Sequence, residues 1–258
     1  MNFTELHYQS FPLLLANVWD ASSARAAERA GYQALGTSSA AIAAMLGYED
    51  GESLSFDELY YIIRRIRAVT ALPISVDMES GYADTPAGIA DNLQQLASIG
   101  IVGVNLEDSQ VSHGVRVLDE AERFASRLQA VRKALAERQC SLFLNVRSDP
   151  FLMDLPSARE ETLFRAQCYA THGADGIFVP CITSPEDIAA IVKHVPLPLN
   201  VMAMPGLPDF TMLAELGVRR ISMGNALHSV VQNDLNMRLL TVRQQQSFAG
   251  VFADEDHR

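Results

Sequence analysis

Short apolar runs alternate with longer amphipathic ones along most of the chain. Eight runs are brief and nearly continuously apolar, the pattern of strands buried on both faces: 13–19, 34–38, 73–78, 102–108, 142–148, 176–180, 198–203 and 219–224. Between them lie eight stretches with helical spacing: 20–30, 55–69, 86–99, 119–138, 157–172, 184–194, 208–216 and 225–243. Several open on start signals, such as Thr85-Pro86, Pro156-Ser157 and Ser184-Pro185-Glu186. Gly31, Gly100, Gly173 and Gly217 each follow a helical stretch, where a left-handed residue closes the last turn. The order helix, glycine, strand recurs four times, in "ERAGYQAL", "ASIGIVGV", "THGADGIF" and "AELGVRRI".

This alternation predicts an α/β protein, a single (β/α)8 barrel domain over residues 1–258, with a tail that frays from about 244. An open doubly wound sheet is the competing arrangement. No Gly-x-Gly-x-x-Gly follows the first strand, which weighs against a dinucleotide-binding sheet. The length of 258 residues suits one barrel, and a 48% hydrophobic composition fills its core. A net charge of −11 makes nucleic acid a poor partner. No apolar run reaches the ~18 residues of a membrane span, and the N-terminus lacks the basic-then-apolar form of a leader. Cys140, Cys168 and Cys181 are widely spaced thiols without a CxxC, as expected of a cytoplasmic protein. Lys133 and Lys193 are the only lysines, and both fall in helical stretches, so a Schiff-base aldolase is disfavoured.

In such a barrel the active face lies at the C-terminal ends of the strands. Asn17, Trp19 and Asp20 end the first strand, Ser38 and Ser39 the second, and Asp50 lies in the loop beyond. Asp77 and Glu79 in "SVDMESGY" end the third, and residues i and i+2 share one face. Glu107 and Asp108 end the fourth; Asn145, Arg147 and Asp149 end the fifth. Carboxylates gathered this closely raise one another's pKa values. A hard cation such as Mg2+ removes the conflict with only one or two direct carboxylates, and the scarcity of histidines at these ends argues against zinc. The competing explanation is that these acids cap helices or pair with arginines. Arg147 is placed to grip a substrate carboxylate bidentately, or else to pair with Asp149 or Glu107. The small residues of "TSSAA" precede a helix start, whose backbone N–H groups hold anions.

"VDMESGY", "NLEDS", "NVRSD" and "TSSAAIAAMLGYED" together resemble the isocitrate lyase/phosphoenolpyruvate mutase superfamily, over roughly residues 10–240. The resemblance implies a (β/α)8 barrel assembled as a homodimer or homotetramer, with the last helix often exchanged between subunits. It implies Mg2+, or Mn2+ in its place, acting on a small carboxylate substrate. It also implies C–C or P–C bond chemistry through an enolate. By position, the metal ligands are Asp77, Glu79 and Glu107, and Asp50 is the loop acid near the metal. Arg147 binds substrate, and Ser38, Ser39 and Ala40 form a backbone cradle for its carboxylate.

The chain also departs from the family pattern. Glu79 stands in place of Asp, and Ala83 in place of Gly. The loop after the fourth strand, "EDSQVSHGVRVLDE", lacks the Lys-Lys/Arg-Cys-Gly-His stretch of the lyases, and the mutase loop is absent too. Pro180 replaces a His after the sixth strand. Candidates for proton transfer are His113 in the shortened loop and Cys181; Tyr48 is a candidate lining residue, and His228 reads as structural. The expectation is a Mg2+-dependent lyase cleaving a C–C bond of a small 2-oxo or 2-hydroxy di- or tricarboxylic acid, oxaloacetate-type decarboxylation being one case. The alternatives are a mutase or hydrolase acting on a phosphonate, and a barrel that binds metal and oxo-acid without turnover.

Overall fold

A computed structural model of the chain describes residues 2–49, 51, 54–112 and 114–252. Among these, nine parallel strands form one sheet: β1 (Leu13–Leu14), β2 (Ala16–Val18), β3 (Leu35–Thr37), β4 (Ile74–Asp77), β5 (Gly103–Glu107), β8 (Phe143–Arg147), β9 (Gly176–Phe178), β10 (Leu199–Met202) and β11 (Arg220–Ser222). Their order is β1-β11-β10-β9-β8-β5-β4-β3-β2. Only Leu15 separates β1 from β2, and its N–H still donates to Ile221 O at 2.9 Å. The two edge strands are therefore one segment, and the sheet closes into the expected barrel of eight strands.

Helices α1 (Ala21–Arg29), α3 (Phe56–Arg67), α4 (Pro86–Ser98), α5 (Ala121–Glu137), α6 (Ala158–Thr171), α7 (Pro185–His194), α8 (Phe210–Glu215) and α9 (Ala226–Gln245) match the eight predicted stretches. Their starts are chemically specified. Asp20 with Ser23 and Ser55 with Glu58 form reciprocal capping boxes, and Thr85 caps α4 ahead of Pro86. Gly31, Gly100, Gly173 and Gly217 all sit at φ between 83° and 102°, the left-handed conformation foreseen for them. Beyond these eight, α2 (Ser39–Leu46) is the helix that starts at "TSSAA". The structure adds a 3-10 turn (Glu5–Tyr8), a short α10 (Ala249–Phe252) and, where a plain loop was expected, the antiparallel hairpin of β6 (Ser109–Ser112) and β7 (Val115–Leu118). Helix α9 leaves Val230, Leu235, Met237 and Leu239 exposed. Among the described residues no helix is long and apolar enough to cross a membrane.

Alternate residues of each strand face opposite sides. Outward-facing Ile74, Val76, Val104, Leu144, Val146, Ile177 and Val201 are fully buried in the main core under the helices. Midway along the barrel the inward positions are polar. Asn145 Nδ2 donates to Asn105 Oδ1 at 2.9 Å and to Asn200 Oδ1 at 3.1 Å, which ties three strands across the interior. The Arg220 guanidinium lies beside them, 3.4 Å from Asn105 Oδ1 and 3.5 Å from Ser75 Oγ. The opposite end is closed by the N-terminal segment. Phe3, Leu6, Leu13, Leu15, Ala34 and Phe143 form a second apolar cluster. Gly103 is required here, because a Cβ would stand 2.8 Å from Phe3 Cε1.

His7 belongs to this plug. Its ring stacks on Phe143 with centroids 4.3 Å apart, and Nδ1 donates to Phe3 O at 3.0 Å. Nε2 is buried and has no partner. Burial, reinforced by the Arg220 charge, pushes the His7 pKa down to about 3. The unfolded chain takes up this proton near 6.5, whereas the folded chain resists it. Stability is therefore full above about 6.5 and lost as pH falls toward 3, at up to ~1.4 kcal/mol per pH unit. Urea unfolding between pH 7 and pH 4 should show this slope, and His7→Phe should flatten it. An unchanged slope in the variant would remove His7 as its source.

Candidate active site

A cavity of about 550 Å3 opens at the C-terminal ends of the strands. Asp77, the last residue of β4, points into it. Its N–H donates to Thr37 Oγ1 at 2.9 Å, which fixes the end of β4 against β3. Oδ2 accepts from Ser39 Oγ at 2.8 Å and from Ser39 N at 3.3 Å. Oδ1 is buried and has no partner. Ser38 caps α2, accepting from Ala41 N at 3.3 Å. Ser38, Ser39 and Ala40 thus put the N-terminus of α2 on the cavity wall, as the sequence suggested.

Arg147 faces the cavity from β8 and is held by two acids. Nε and Nη2 grip Asp149 at 2.7 and 3.2 Å, and Nη1 lies 2.5 Å from Glu107 Oε1. A second guanidinium completes the group. Arg116 Nη1, from β7, reaches Glu107 Oε2 at 2.7 Å, Ser109 Oγ at 2.7 Å and Asp149 Oδ2 at 3.2 Å. Burial pushes the Glu107 pKa up to about 8, opposed by Arg147 and aided by the charges of Asp77 and Asp149. Burial would weaken the charge on Arg147, but Glu107 and Asp149 raise its pKa well above the usual value. The geometry favours the ion pair, because each Glu107 oxygen accepts from a guanidinium and a protonated oxygen could not.

The base of this network is Asp108. It accepts from Ser148 Oγ (2.8 Å), Tyr169 OH (2.9 Å), Arg165 Nη1 (3.2 Å) and Asp149 N (3.1 Å). Burial raises its pKa and Arg165 opposes the rise. Four donors converging on one carboxyl again select the anion.

Glu79 follows β4 in a tight turn, with φ of 46° at Glu79, 114° at Gly81 and 55° at Tyr82. Tyr82 OH donates to Glu79 Oε1 at 2.8 Å. Glu79, Glu107 and Arg116 line a separate pocket of about 60 Å3 beside the main cavity. The three predicted metal acids therefore share one end of the barrel without enclosing a single point. Among the described residues no three acidic, histidine or cysteine side chains could together hold a metal ion. The reason is electrostatic: the arginines have taken up Glu107. The unpartnered Oδ1 of Asp77 is nevertheless what a hard cation needs, since Mg2+ takes one or two carboxylates and keeps its waters. The donor set fits Mg2+ bound in this way: Asp77 would hold it, with Glu79 and Glu107 nearby at the same end of the barrel.

The remaining candidates lie elsewhere. Asp50 and His113 are outside the described residues. Tyr48 is exposed, and its hydroxyl donates to Glu58 at 2.8 Å rather than lining the cavity. Burial pushes the Cys181 thiol up, more than Arg147 pulls it down, so it is a poor nucleophile. His228 is buried edge-on against Trp19, centroids 5.0 Å apart, a structural placement. Sequence reasoning missed Arg116. The signal was present in "SHGVRVLDE", where Val115 and Val117 alternate with polar residues as in a strand.

With that geometry in place, kinship becomes decisive. The family described as phosphoenolpyruvate phosphomutase matches residues 3–242. The chain belongs to this family, within the isocitrate lyase/phosphoenolpyruvate mutase superfamily. It is 34% identical over 229 residues to a protein of Mycobacterium tuberculosis (strain ATCC 25618 / H37Rv), covering 89% of this chain and 84% of that one. It is 29% identical to the 2-methylisocitrate lyase of Salmonella typhimurium, covering 78% and 69% of the two chains. It is also 29% identical to the oxaloacetate decarboxylase of Bradyrhizobium sp. (strain BTAi1), covering 81% and 73%. A crystal structure of a protein from Burkholderia cenocepacia J2315, provisionally assigned as a phosphonomutase, superposes with a TM-score of 0.86 at 39% identity, over 92% of this chain and 97% of that one. A phosphonopyruvate hydrolase structure holding oxalate and Mg2+ shares the fold, with a TM-score of 0.83 at 21% identity over 98% and 91%.

The network makes a prediction about stability. Asp108→Asn replaces an acceptor of four bonds with an amide whose NH2 faces donors. It should cost ~3 kcal/mol in urea unfolding, the scale for breaking a buried ion pair. A loss below about 1 kcal/mol would mean that Asp108 does not support the site.

Proposed function

We propose that this protein is a Mg2+-dependent lyase that cleaves a C–C bond of a small 2-oxo or 2-hydroxy acid, oxaloacetate-type decarboxylation being the simplest case. The observation that carries the proposal is the buried, unpartnered Oδ1 of Asp77, a residue on the wall of a cavity that also presents Arg147 and the N-terminus of α2. When bound, Mg2+ supplies Lewis-acid polarisation of the 2-oxo group. The chain does the rest. The Arg147 guanidinium, locked in orientation by Asp149, donates to the substrate carboxylate. The first turn of α2 directs backbone N–H groups at charge developing on the 2-oxygen. In decarboxylation the bond to the departing carboxylate breaks, CO2 leaves, and its electron pair forms the enolate. Water then delivers a proton to the carbon, so no side-chain acid is required. That agrees with a hairpin where the lyases carry a cysteine loop.

The second reading is a P–C bond enzyme, favoured by the 39% identity to the provisional phosphonomutase. Against it, the described cavity lining offers a phosphonate two arginines and no lysine or histidine. The exposed apolar residues of α9 support assembly as a homodimer or homotetramer. The three free thiols are in line with a cytoplasmic location.

Proton NMR of the protein with Mg2+ and oxaloacetate, 2-hydroxy diacids, methylisocitrate or phosphonopyruvate tests the reading. Pyruvate or another fragment should appear with wild type and not with Asp77→Ala. Equal product from both would refute the assignment. In calorimetry Asp77→Ala should abolish Mg2+ binding. Arg147→Ala should weaken oxalate by about 2–5 kcal/mol, the scale for losing one partner of a buried charge pair. A loss below about 0.5 kcal/mol would leave Arg147 a purely structural residue.

A further inference from the structure

The cavity is chemically two-sided. Its charged lining residues are Asp77, Arg116 and Arg147, and both arginines are held by carboxylates at the β5–β8 side. From the turn after β8 round to β10 the wall is Leu152, Met153, Phe178, Pro180 and Met202. Phe178 and Pro180 are buried, so this wall is part of the packed fold and not a surface patch. Gly224 leaves room for Met202, since a Cβ there would stand 2.6 Å from Met202 Sδ. Among the described lining residues the other contributions away from Asp77 and the arginines are uncharged: Asn17, Ser222 and Asn225 among them.

The volume is large for a bare diacid. About 550 Å3 is room for roughly eighteen waters at ~30 Å3 each. An oxo-acid head seated between Asp77, Arg147 and α2 leaves most of it unfilled. A second carboxylate directed at the wall would meet no countercharge and lose its hydration. An alkyl group there is stabilised instead.

We propose that the substrate carries an apolar alkyl substituent beyond its 2-oxo or 2-hydroxy acid head, seated on the wall of Leu152, Met153, Phe178, Pro180 and Met202. This deepens the reading given under Proposed function and rests on it for the head group. The wall then sets specificity for chain length, and polar tricarboxylates and phosphonates are discriminated against by the same surface.

N-substituted oxamates separate head from tail, because the oxalate-like head is constant and the tail varies. Calorimetry with Mg2+ would compare oxamate, N-methyl-, N-propyl- and N-butyloxamate, and oxalylglycine, whose tail ends in a carboxylate. Affinity should rise about fourfold per methylene, equivalent to ~0.8 kcal/mol, and oxalylglycine should bind no tighter than oxamate. Met202→Gln, similar in volume and uncharged, should reduce the ratio of N-butyloxamate to oxamate affinity at least threefold. Affinity that is flat or falls with chain length, or oxalylglycine binding tenfold tighter than N-propyloxamate, would overturn the apolar wall while leaving the head-group site intact. Failure of oxamate itself to bind would overturn the metal-and-carboxylate reading, and the wall's role with it.

Discussion

Everything at the mouth of this barrel depends on how buried carboxylates are neutralised. Glu107, Asp108 and Asp149 are all but inaccessible to water, and a charge so placed is tolerable only when paired and hydrogen-bonded. Arg147 and Arg116 clamp Glu107 and Asp149 from two sides, and Arg165 holds Asp108 from below. These contacts tie β5, β8, the β6–β7 hairpin and α6 together. The hairpin stays over the site because Arg116 is the donor its neighbours need. The same pairing that stabilises the fold therefore also fixes the orientation of the two guanidinium groups on the cavity wall.

A different solution operates deeper in the barrel. Arg220 has no carboxylate in contact, and its Nε and Nη1 lack partners. Burial lowers its pKa to about 9, and the charge of Asp77 opposes that. Its neighbours are neutral amides and a serine, polar enough to solvate a cation but not to neutralise it. His7, at the plug, responds by staying unprotonated. The interior therefore runs from an apolar plug, through a neutral histidine and a buried cation, to the anionic ends of the strands. That gradient places a buried positive charge beneath Asp77.

Much of this architecture was legible in the chain, for physical reasons that differ from element to element. The strands showed because their outward faces are apolar without interruption, and the helix ends showed because Thr85, Ser184 and the four left-handed glycines do jobs few other residues can. Asp77 and Arg147 could be placed at the mouth because strand ends fix direction. The start of α2 showed in the small residues of "TSSAA", but its extent did not, because its alanines are apolar without a polar face and no 3.6-residue period stands out. The hairpin was hidden because two four-residue strands are indistinguishable from a loop until Arg116 meets Glu107 and Asp149, 9 and 33 residues away in sequence. Glu79 and Glu107 were expected to converge on a metal with Asp77; which acid an arginine captures depends on distances that no spacing rule encodes.

Formal charge narrows the chemistry further. Around the barrel mouth and interior, Asp77, Glu79, Glu107, Asp108 and Asp149 face Arg116, Arg147, Arg165 and Arg220, which leaves one negative charge in excess. The excess belongs to no single residue, but among the described residues Asp77 Oδ1 is the buried carboxylate oxygen left without a partner. A divalent cation there reverses the sign to a single positive charge. An acid with one ionised carboxylate then brings the site to neutrality, and one with two brings it back to the value of the empty protein. A tricarboxylate would add a further negative charge where the described lining offers no free cation. Loss of CO2 from a dianion leaves the total unchanged while moving one charge from the departing carboxylate to the enolate, toward Asp77's side of the cavity. The arrangement therefore suits a small acid of low charge whose remaining bulk is apolar, as the wall opposite the arginines also requires.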